Sequence, residues 1–366
     1  MRTPRAERPV GRPSQIEREY TIVSGDDIRS WRSPSRVTGK LTFLPIDEII
    51  ARHGLKEYRQ MRHDDQVKAA LNFKKILVFG RTYDIQPSND DQNAKDIAEF
   101  VQWALGRLNF QSVMRESLTA LDYGYSLGEL IWERTFYKGV SCIALKDIKF
   151  RDPSHLTIMS DEHGNIVEYE QEPAWGEKTT ILPKKVFHYA YQREFSNHYG
   201  MSDLRSCYKN WWAKKFIIQF WNVFLERLGA PMTLIKYPVG ASAEMKANLK
   251  SILSGISSKT EILVPEGVEV ELIEATRAGQ ASYGEALNYH DGAIAKAILV
   301  PALLGFGDAG KARGSDSQSR LQLRTLFKVT QQLGEELIFE FHKQVITQLV
   351  DMNFVTNEYP KFIWQD

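Results

Sequence analysis

The chain contains 366 residues, of which 43% are hydrophobic and 25% charged, a composition typical of globular proteins and sufficient for a sizeable core. With 47 basic and 46 acidic side chains the net charge is +1, so no overall field draws the chain to nucleic acid or to an anionic membrane, and any such contact must be local. Its two cysteines, Cys142 and Cys207, lie outside any CxxC spacing, so they give neither a disulfide framework nor a zinc site and fit a reducing compartment.

The first nineteen residues are predicted to form a flexible basic arm. Residues 1–14, MRTPRAERPVGRPS, contain four arginines and three prolines but lack the apolar stretch of a secretory signal. We therefore expect a polar arm ahead of the folded region rather than a signal peptide.

The sequence pattern of residues 20–199 predicts an α+β region in which helices are followed by antiparallel strands. The apolar periodicity predicts helices after Pro45 and over 58–77, 90–108 and 110–121, with a strand in the segment RTYDIQP. Hairpins are predicted to turn at Lys138-Gly139 and at the segment DEHGN, and KKVFHYAYQ adds one more strand.

The stretch from Gly200 to Pro231 predicts one uninterrupted helix of unusual length. Ser202 can cap its first turn, and Asp203 lies where the helix dipole favours an anion. A Gly-Ala-Pro sequence ends the helix, and residues 203–228 would extend about 39 Å. Its apolar residues recur at three-to-four spacing and form one broad face: Trp211, Trp212, Phe216, Ile217, Phe220, Trp221, Phe224, Leu225 and Leu228.

A membrane span is one alternative interpretation of this face. Lys214, Lys215 and Glu226 interrupt the apolar run and leave it too short to cross a bilayer, where charges are costly. A long core helix explains the pattern as well. A membrane-associated scaffold that uses the Trp-rich helix remains an alternative function.

Residues 230–280 predict a small β-α-β-β unit. The segment MTLIKYP is a predicted strand, residues 242–256 a helix, and two strands flank Glu266-Gly267. A further helix over 283–299 is halted by Pro301. The last predicted helix, over 315–353, would extend about 57 Å and contains Gly334.

A glycine-rich loop between the last two helices resembles a phosphate-binding P-loop. Residues 305–312 read GFGDAGKA, but Ala312 stands where a P-loop needs Ser or Thr to hold magnesium, and no buried strand precedes the loop. A nucleotide hydrolase built on Lys311 remains an alternative. A glycine-rich cationic loop that connects two helices fits the pattern better.

A basic stripe follows this loop. Arg320, Arg324 and Lys328 are spaced at i, i+4 and i+8 and therefore share one helix face, after Lys311 and Arg313 in the loop. The stripe is either a solvated helix face or a contact to the nucleic-acid backbone, which needs cations but no side chains that read bases.

The familiar catalytic and metal-binding motifs are missing from the sequence. It contains no GxSxG, no HExxH and no HxE followed by PCxxC, and its eight histidines are scattered. We predict no catalytic residues, no metal site and no cofactor.

Four segments, taken in order and spacing, resemble the portal proteins of tailed bacteriophages, particularly the Mu-type branch and its prophage relatives. The resemblance covers the chain from about Leu55 to Phe354. Its most specific segments are the helix start Tyr58–Val67, the stretch Tyr123–Glu129 with Trp132, the stretch Tyr199–Leu204 leading into Glu226–Pro231, and Ala293–Gly305.

The resemblance implies a portal fold with an α+β wing, two long stem helices, a small α/β clip, a tunnel loop and a short helical crown, assembled as a ring. Carried over by segment, the basic arm is 1–19, the wing 20–199, the first stem helix 200–229, the clip 230–280, the second stem helix 281–301, the tunnel loop 302–314, and the long helix with a reduced crown 315–366. The chain extends only a short way past its long helix, whereas many relatives continue into a larger crown, so a reduced crown is expected.

The resemblance also implies a structural function without enzymatic activity. The ring, commonly of twelve copies, would occupy one capsid vertex of the virion, pass double-stranded DNA without sequence specificity during packaging and ejection, and assemble in the host cytoplasm. Its partners would be the terminase large subunit, a head-tail adaptor, and the major capsid and scaffolding proteins, with no membrane.

Three sets of residues are assigned to these roles. The DNA-facing tunnel loop comprises Gly305, Gly307, Gly310, Lys311 and Arg313, and the tunnel-lining helix contributes Arg320, Arg324 and Lys328. Subunit contacts are predicted for Trp211, Trp212, Phe216, Phe220, Trp221 and Phe224. Clip docking is predicted for Glu244, Lys246, Lys250 and Glu266.

Overall fold

The computed structural model describes residues 41–42, 47–173, 176–228, 232–255, 268–273, 277–299 and 316–365. The predicted basic arm and the whole glycine-rich loop, with Gly305, Gly307, Gly310, Lys311 and Arg313, lie outside the described residues.

The first part of the body is helical. A short strand β1 (Leu41–Thr42) precedes α1 (Glu48–His53), α2 (Lys56–Met61) and α3 (Asp65–Phe79), and strand β2 (Thr82–Gln86) follows; then come α4 (Gln92–Gly106), α5 (Phe110–Ser117) and α6 (Ala120–Tyr123). The helix predicted over 58–77 is divided in two, because Asp64 caps α3 by accepting a hydrogen bond from the Val67 N–H at 3.1 Å. The helix predicted over 110–121 is likewise divided into α5 and α6.

Two antiparallel sheets follow. Strands β3 (Tyr125–Tyr137), β4 (Val140–Phe150) and β8 (Val186–Ala190) form a sheet of order β4-β3-β8, and β5 (Leu156–Ser160), β6 (Ile166–Gln171) and β7 (Thr179–Ile181) extend β1 in the order β1-β5-β6-β7. The predicted turn at Lys138-Gly139 is confirmed. Both residues have positive φ, 48° and 81°, as a two-residue hairpin turn requires.

The long helix α7 (Asp203–Leu228) has the predicted extent, 26 residues, and Ser202 caps it by accepting the Leu204 N–H at 3.0 Å. Strand β9 (Met232–Lys236), helix α8 (Ala243–Gly255) and strand β10 (Glu269–Ile273) follow, with β9 and β10 paired antiparallel. Helix α9 (Arg277–Ala297) begins six residues before the predicted Tyr283, so the boundary predicted at 280 falls within a continuous helix.

The last long helix agrees closely with the prediction over 315–353. It consists of α10 (Asp316–Phe341), one π-helical turn (His342–Ile346) and α11 (Thr347–Asn353). The sequence analysis missed strand β11 (Lys361–Gln365), which pairs antiparallel with β2. Residues near the end of the chain are therefore joined to the first part of the body.

One large core holds the body together. It collects buried side chains from α3, α4, α5, the β4-β3-β8 sheet, the beginning of α7, the end of α9 and the second half of α10, which includes Leu337 and Phe341 with no exposed surface. The second half of α10 therefore packs into the same core as the α+β body. A smaller core lies between the two sheets and contains Tyr125, Ile158 and Tyr169.

Two side-chain amides attach the last helix to both edges of the β4-β3-β8 sheet. Gln344 in the π-helical turn accepts from the His188 N–H and donates to the His188 carbonyl, each at 2.8 Å. Asn353 makes the same pair of bonds with Ile143, each at 2.8 Å. Because His188 lies in β8 and Ile143 in β4, this pairing satisfies backbone groups at both sheet edges.

Candidate functional site

The first turn of α7 lies where two of the segments singled out in the sequence meet. Gly124 and Gly200 have φ of 89° and 56°, and a Cβ on Gly124 would lie 2.3 Å from the Tyr199 carbonyl oxygen. The Tyr191 N–H donates to the Gly124 carbonyl at 2.8 Å. Only glycine fits this close approach, so the Tyr-Gly sequences at 123 and 199 together fix where α7 leaves the body.

Asp203, in that first turn, does more than complement the helix dipole. Its carboxylate accepts from the Lys74 Nζ at 2.8 Å and from the Tyr191 hydroxyl at 3.1 Å, and both ion-pair partners are almost fully buried. Burial raises the pKa of Asp203, while Lys74 and Tyr191 act in the opposite direction. The ion pair joins α7 to α3 inside the core.

Lys214, three turns further along α7, binds three carboxylates. Its Nζ lies 3.0 Å from Asp64, 2.9 Å from Asp65 and 2.7 Å from Asp291. Burial lowers the pKa of Lys214, but the hydrogen bonds that its ammonium donates to the three carboxylates outweigh this effect, and the net shift of the pKa is upward. One lysine thus connects α7 to the start of α3 and to α9.

Helices α7 and α9 run antiparallel. Asn210 contacts His290 at 3.1 Å near the body, and Phe224 packs against Tyr283 with ring centroids 5.6 Å apart near the far end. The pair therefore forms a two-helix strut that extends from the core.

The six aromatic residues predicted as subunit contacts fall on two different stripes of α7, because each residue turns the helix by about 100°. Trp211 is only 7% exposed and belongs to the chain's own core, so its assignment to a subunit contact is corrected. Trp221 and Phe224 are half-buried.

The second stripe faces outward. Trp212, Phe216, Phe220 and Val223 follow one another at three-to-four spacing and are 51%, 38%, 62% and 44% exposed. The rings of Trp212 and Phe216 pack together at 4.3 Å. We call these four residues the outer stripe; a contiguous exposed apolar patch of this kind marks an interaction surface.

The structure describes only some of the residues predicted to face DNA. Arg324 and Lys328 on α10 are exposed, as a cationic surface requires, while the side chain of Arg320 and the loop residues lie outside the described part. Among the predicted clip residues, Glu244, Lys246 and Lys250 are exposed on α8, and Glu266 lies outside the described residues. The Lys246 ammonium lies 5.5 Å from the centre of the Tyr237 ring.

Sequence reasoning missed the ion pairs that anchor α7. The sequence did offer one signal, because Lys214 places a charge on the inward apolar face of α7. The spacing of residues does not reveal that Asp64 and Asp65, far away in the chain, are its partners.

In the described part of the chain no cluster of histidine, cysteine and carboxylate side chains is arranged to hold a metal ion. Across the same residues, no helix has the length and apolar content that a bilayer crossing needs.

The family model described as the portal protein of Mu bacteriophage matches residues 55–366. The chain belongs to this family. The chain is 20% identical over 332 residues to the Mu-like prophage FluMu protein gp29 of Haemophilus influenzae, covering 87% of this chain and 61% of that protein. It is 23% identical over 271 residues to the portal protein of Escherichia phage Mu, covering 73% of this chain and 51% of that protein. The chain thus spans about half to three fifths of these relatives' length.

Solved structures show the same fold. A chain in the virion of a native gene transfer agent particle matches with a TM-score of 0.62 at 14% identity, over 84% of this chain and 82% of that one. A chain in the neck of the native particle, computed with C12 symmetry, matches with a TM-score of 0.59 at 13% identity, over 85% and 83%. The predicted α+β portal fold is therefore confirmed.

Proposed function

We propose that this chain is the subunit of a portal ring, a structural conduit that passes double-stranded DNA at one capsid vertex and performs no chemistry of its own. The match of residues 55–366 to the Mu portal family carries this proposal. The likeness to chains from a virion and its neck supports a location in the virion. Assembly would take place in the host cytoplasm.

The outer stripe is the surface that we assign to the neighbouring subunit. Trp212, Phe216, Phe220 and Val223 expose apolar area that a monomer would leave in water, and aromatic residues are enriched at stable interfaces. A contact between two different faces of the same chain, repeated head to tail, closes a ring. The C12 symmetry of the similar neck favours twelve copies.

DNA would pass through the ring without being gripped. Each phosphate that a cation neutralises adds salt-dependent affinity, so a strongly basic lining would hold DNA in place, and a chain of net charge +1 suits movement. We assign the sequence-blind contacts to Lys311 and Arg313 in the loop and to the Arg320, Arg324 and Lys328 face of α10, with Gly305, Gly307 and Gly310 shaping the loop.

The unit formed by β9, α8 and β10 would dock the terminase large subunit during packaging and a head-tail adaptor afterwards. Exposed charges of both signs on α8, Glu244, Lys246 and Lys250, provide a polar surface suited to exchangeable partners, and Glu266 would extend it. The α+β body would contact the major capsid and scaffolding proteins.

Ring formation is tested on the purified full chain by negative-stain microscopy and native mass spectrometry. We expect closed rings, and we expect Phe220→Ser to lower the assembled fraction at a given concentration. Phe136→Ser is the matched control, since Phe136 is 70% exposed at the tip of a hairpin. A monomer at every concentration, or equal assembly of both variants, would contradict the proposal.

The DNA contact is tested in particles. Replacing Lys311 and Arg313 with Ala should leave ring assembly intact and change the amount of DNA packaged or retained, whereas Lys146→Ala on β4 should not. Quantifying encapsidated DNA by nuclease protection separates the outcomes. Unchanged packaging would show that the cations of the loop are incidental.

A further inference from the structure

A cavity of about 390 Å³ lies on the body at the junction of α2, α3 and α6, and none of its lining residues belongs to the sets assigned above. One wall consists of Arg59 in α2 with Arg62 and His63 just after it. The other walls are one face of α3 and Asp122 and Tyr123 of α6. The α3 face presents Lys68, Leu71, Asn72 and Lys75, which the helical period places on one side.

The cavity carries more positive than negative charge. Four cations line it, Arg59, Arg62, Lys68 and Lys75, and in the described part of the chain Asp122 is the one carboxylate among its lining residues. Arg59 is paired outside the cavity with Asp152. The remaining three cations therefore share a single carboxylate.

Asp122 cannot satisfy them all. It has no exposed surface, and its Oδ1 accepts from the Lys75 Nζ at 2.6 Å. The Arg62 Nε lies 3.0 Å from Asp122 Oδ2, yet this oxygen has no hydrogen-bond partner among the described residues, so the N–H is not directed at it. The Arg62 Nη1 donates to the Tyr123 hydroxyl at 2.7 Å. The guanidinium has five N–H groups and thus keeps donors for another acceptor.

The environment of Lys75 favours a further anion. Burial lowers the pKa of Lys75, Asp122 opposes this shift, and the positive charge of Arg62 adds to it. An anion in the cavity would counter the charge of Arg62 and favour the charged form of Lys75.

We propose that this cavity binds phosphate groups. Arg62 offers the planar fork that matches a phosphate, while Lys68 and Asn72 add donors at the rim. Lys68 and Lys75 are separated by about 10.5 Å along α3, so the site suits an extended phosphate ligand better than one small ion. Such phosphates come from the backbone of DNA or from free phosphate compounds. The site does not rest on ring assembly.

Thermal unfolding of the full-length protein in pyrophosphate and in sodium chloride of equal ionic strength tests the site. A ligand that binds only the folded state raises the Tm with its concentration. General salt effects act alike on all variants. We expect Lys68→Ala to weaken pyrophosphate binding about fivefold and Asn72→Asp about tenfold, since each alters charge-assisted bonds.

Matched controls change exposed residues elsewhere on the body: Lys146→Ala on β4 is the control for Lys68→Ala, and Gln102→Glu on α4 is the control for Asn72→Asp. Equal pyrophosphate responses in cavity variants and controls would overturn the proposal. A second experiment adds a 20-base-pair DNA duplex to the wild-type protein with pyrophosphate bound. If the duplex displaces pyrophosphate, the ligand is the DNA backbone. If it does not, the ligand is a free phosphate compound. A monomeric protein that still shows the variant pattern would refute the ring while leaving this site intact.

Discussion

The two faces of α7 both carry apolar residues and use them differently. On the face toward the body, Leu204, Cys207 and Trp211 are buried in the main core, and Asp203 and Lys214 are held by ion pairs. On the other face the outer stripe is exposed, while Phe224 near the far end of the helix packs on Tyr283 of α9. The comparison shows that an apolar face predicts that something must cover it but not what covers it.

The neighbouring tryptophans Trp211 and Trp212 provide the largest expected contrast between the two faces. Trp211→Ala should lower the free energy of unfolding by about 3 to 5 kcal/mol, because it leaves a cavity in the core. Trp212→Ala should change the unfolding free energy little but reduce ring assembly. Urea unfolding and native mass spectrometry of both variants measure this, and equal effects of the two on unfolding would erase the distinction between the stripes.

Removing the Lys74–Asp203 ion pair at the start of α7 should lower the free energy of unfolding nearly as much. Asp203→Ala leaves Lys74 buried without its carboxylate, a change that typically destabilises by about 3 to 5 kcal/mol. Replacing the pair together, Lys74→Met with Asp203→Leu, should restore much of this free energy, since no unpaired charge remains. Glu226→Ala, at an exposed position near the far end of α7, is the control in urea unfolding. A double variant no better than the single one would show that packing, not charge, causes the loss.

A smaller effect is expected at the middle of α7. Lys214→Ala should destabilise the protein by about 1 to 3 kcal/mol, because Asp64 and Asp291 lose the cation with which they form ion pairs. Hydrogen exchange should report faster opening between α7 and α9. The exposed Lys209→Ala should behave like the wild type. If Lys209→Ala and Lys214→Ala open alike, the three-carboxylate contact does not hold the strut to the body.

The effect that is smallest at neutral pH is a pH dependence of stability that arises in the buried body. His188 accepts at Nδ1 from the Tyr169 hydroxyl and donates from Nε2 to the His198 carbonyl, and burial, with His198 nearby, lowers the pKa of His188 to about 3. Below the ordinary value of about 6.5 the unfolded chain binds a proton that the folded chain does not, so stability falls as the pH drops toward 3.

Replacing His188 should make the free energy of unfolding less dependent on pH below about 6.5. His188→Gln should reduce the decline in unfolding free energy by up to about 1.4 kcal/mol per pH unit, and the downward-shifted pKa of His198 leaves a residual slope. Ring assembly through the apolar outer stripe should not follow the same pH dependence. Parallel slopes in wild type and variant would assign the acid sensitivity to other groups.

The sequence alone predicted most of the local structure and its order. Helical periodicity and the Ser202 cap predicted α7, the Lys-Gly turn sequence at 138–139 between two apolar strands predicted the hairpin, and the order of four segments predicted the family. These features depend on residues close in the chain, where backbone preferences and side-chain spacing act directly. They also sufficed to expect an α+β portal fold.

Only the tertiary structure decided how distant segments use these elements. It buried Trp211 and exposed Trp212, brought Lys214 to three carboxylates, joined β11 to β2, and used Gln344 and Asn353 to close both edges of one sheet. Each contact joins residues far apart in sequence, and neither spacing nor composition encodes which of many possible partners meets a given side chain. Burial and charge pairing select among them, and these arise only once the whole core packs.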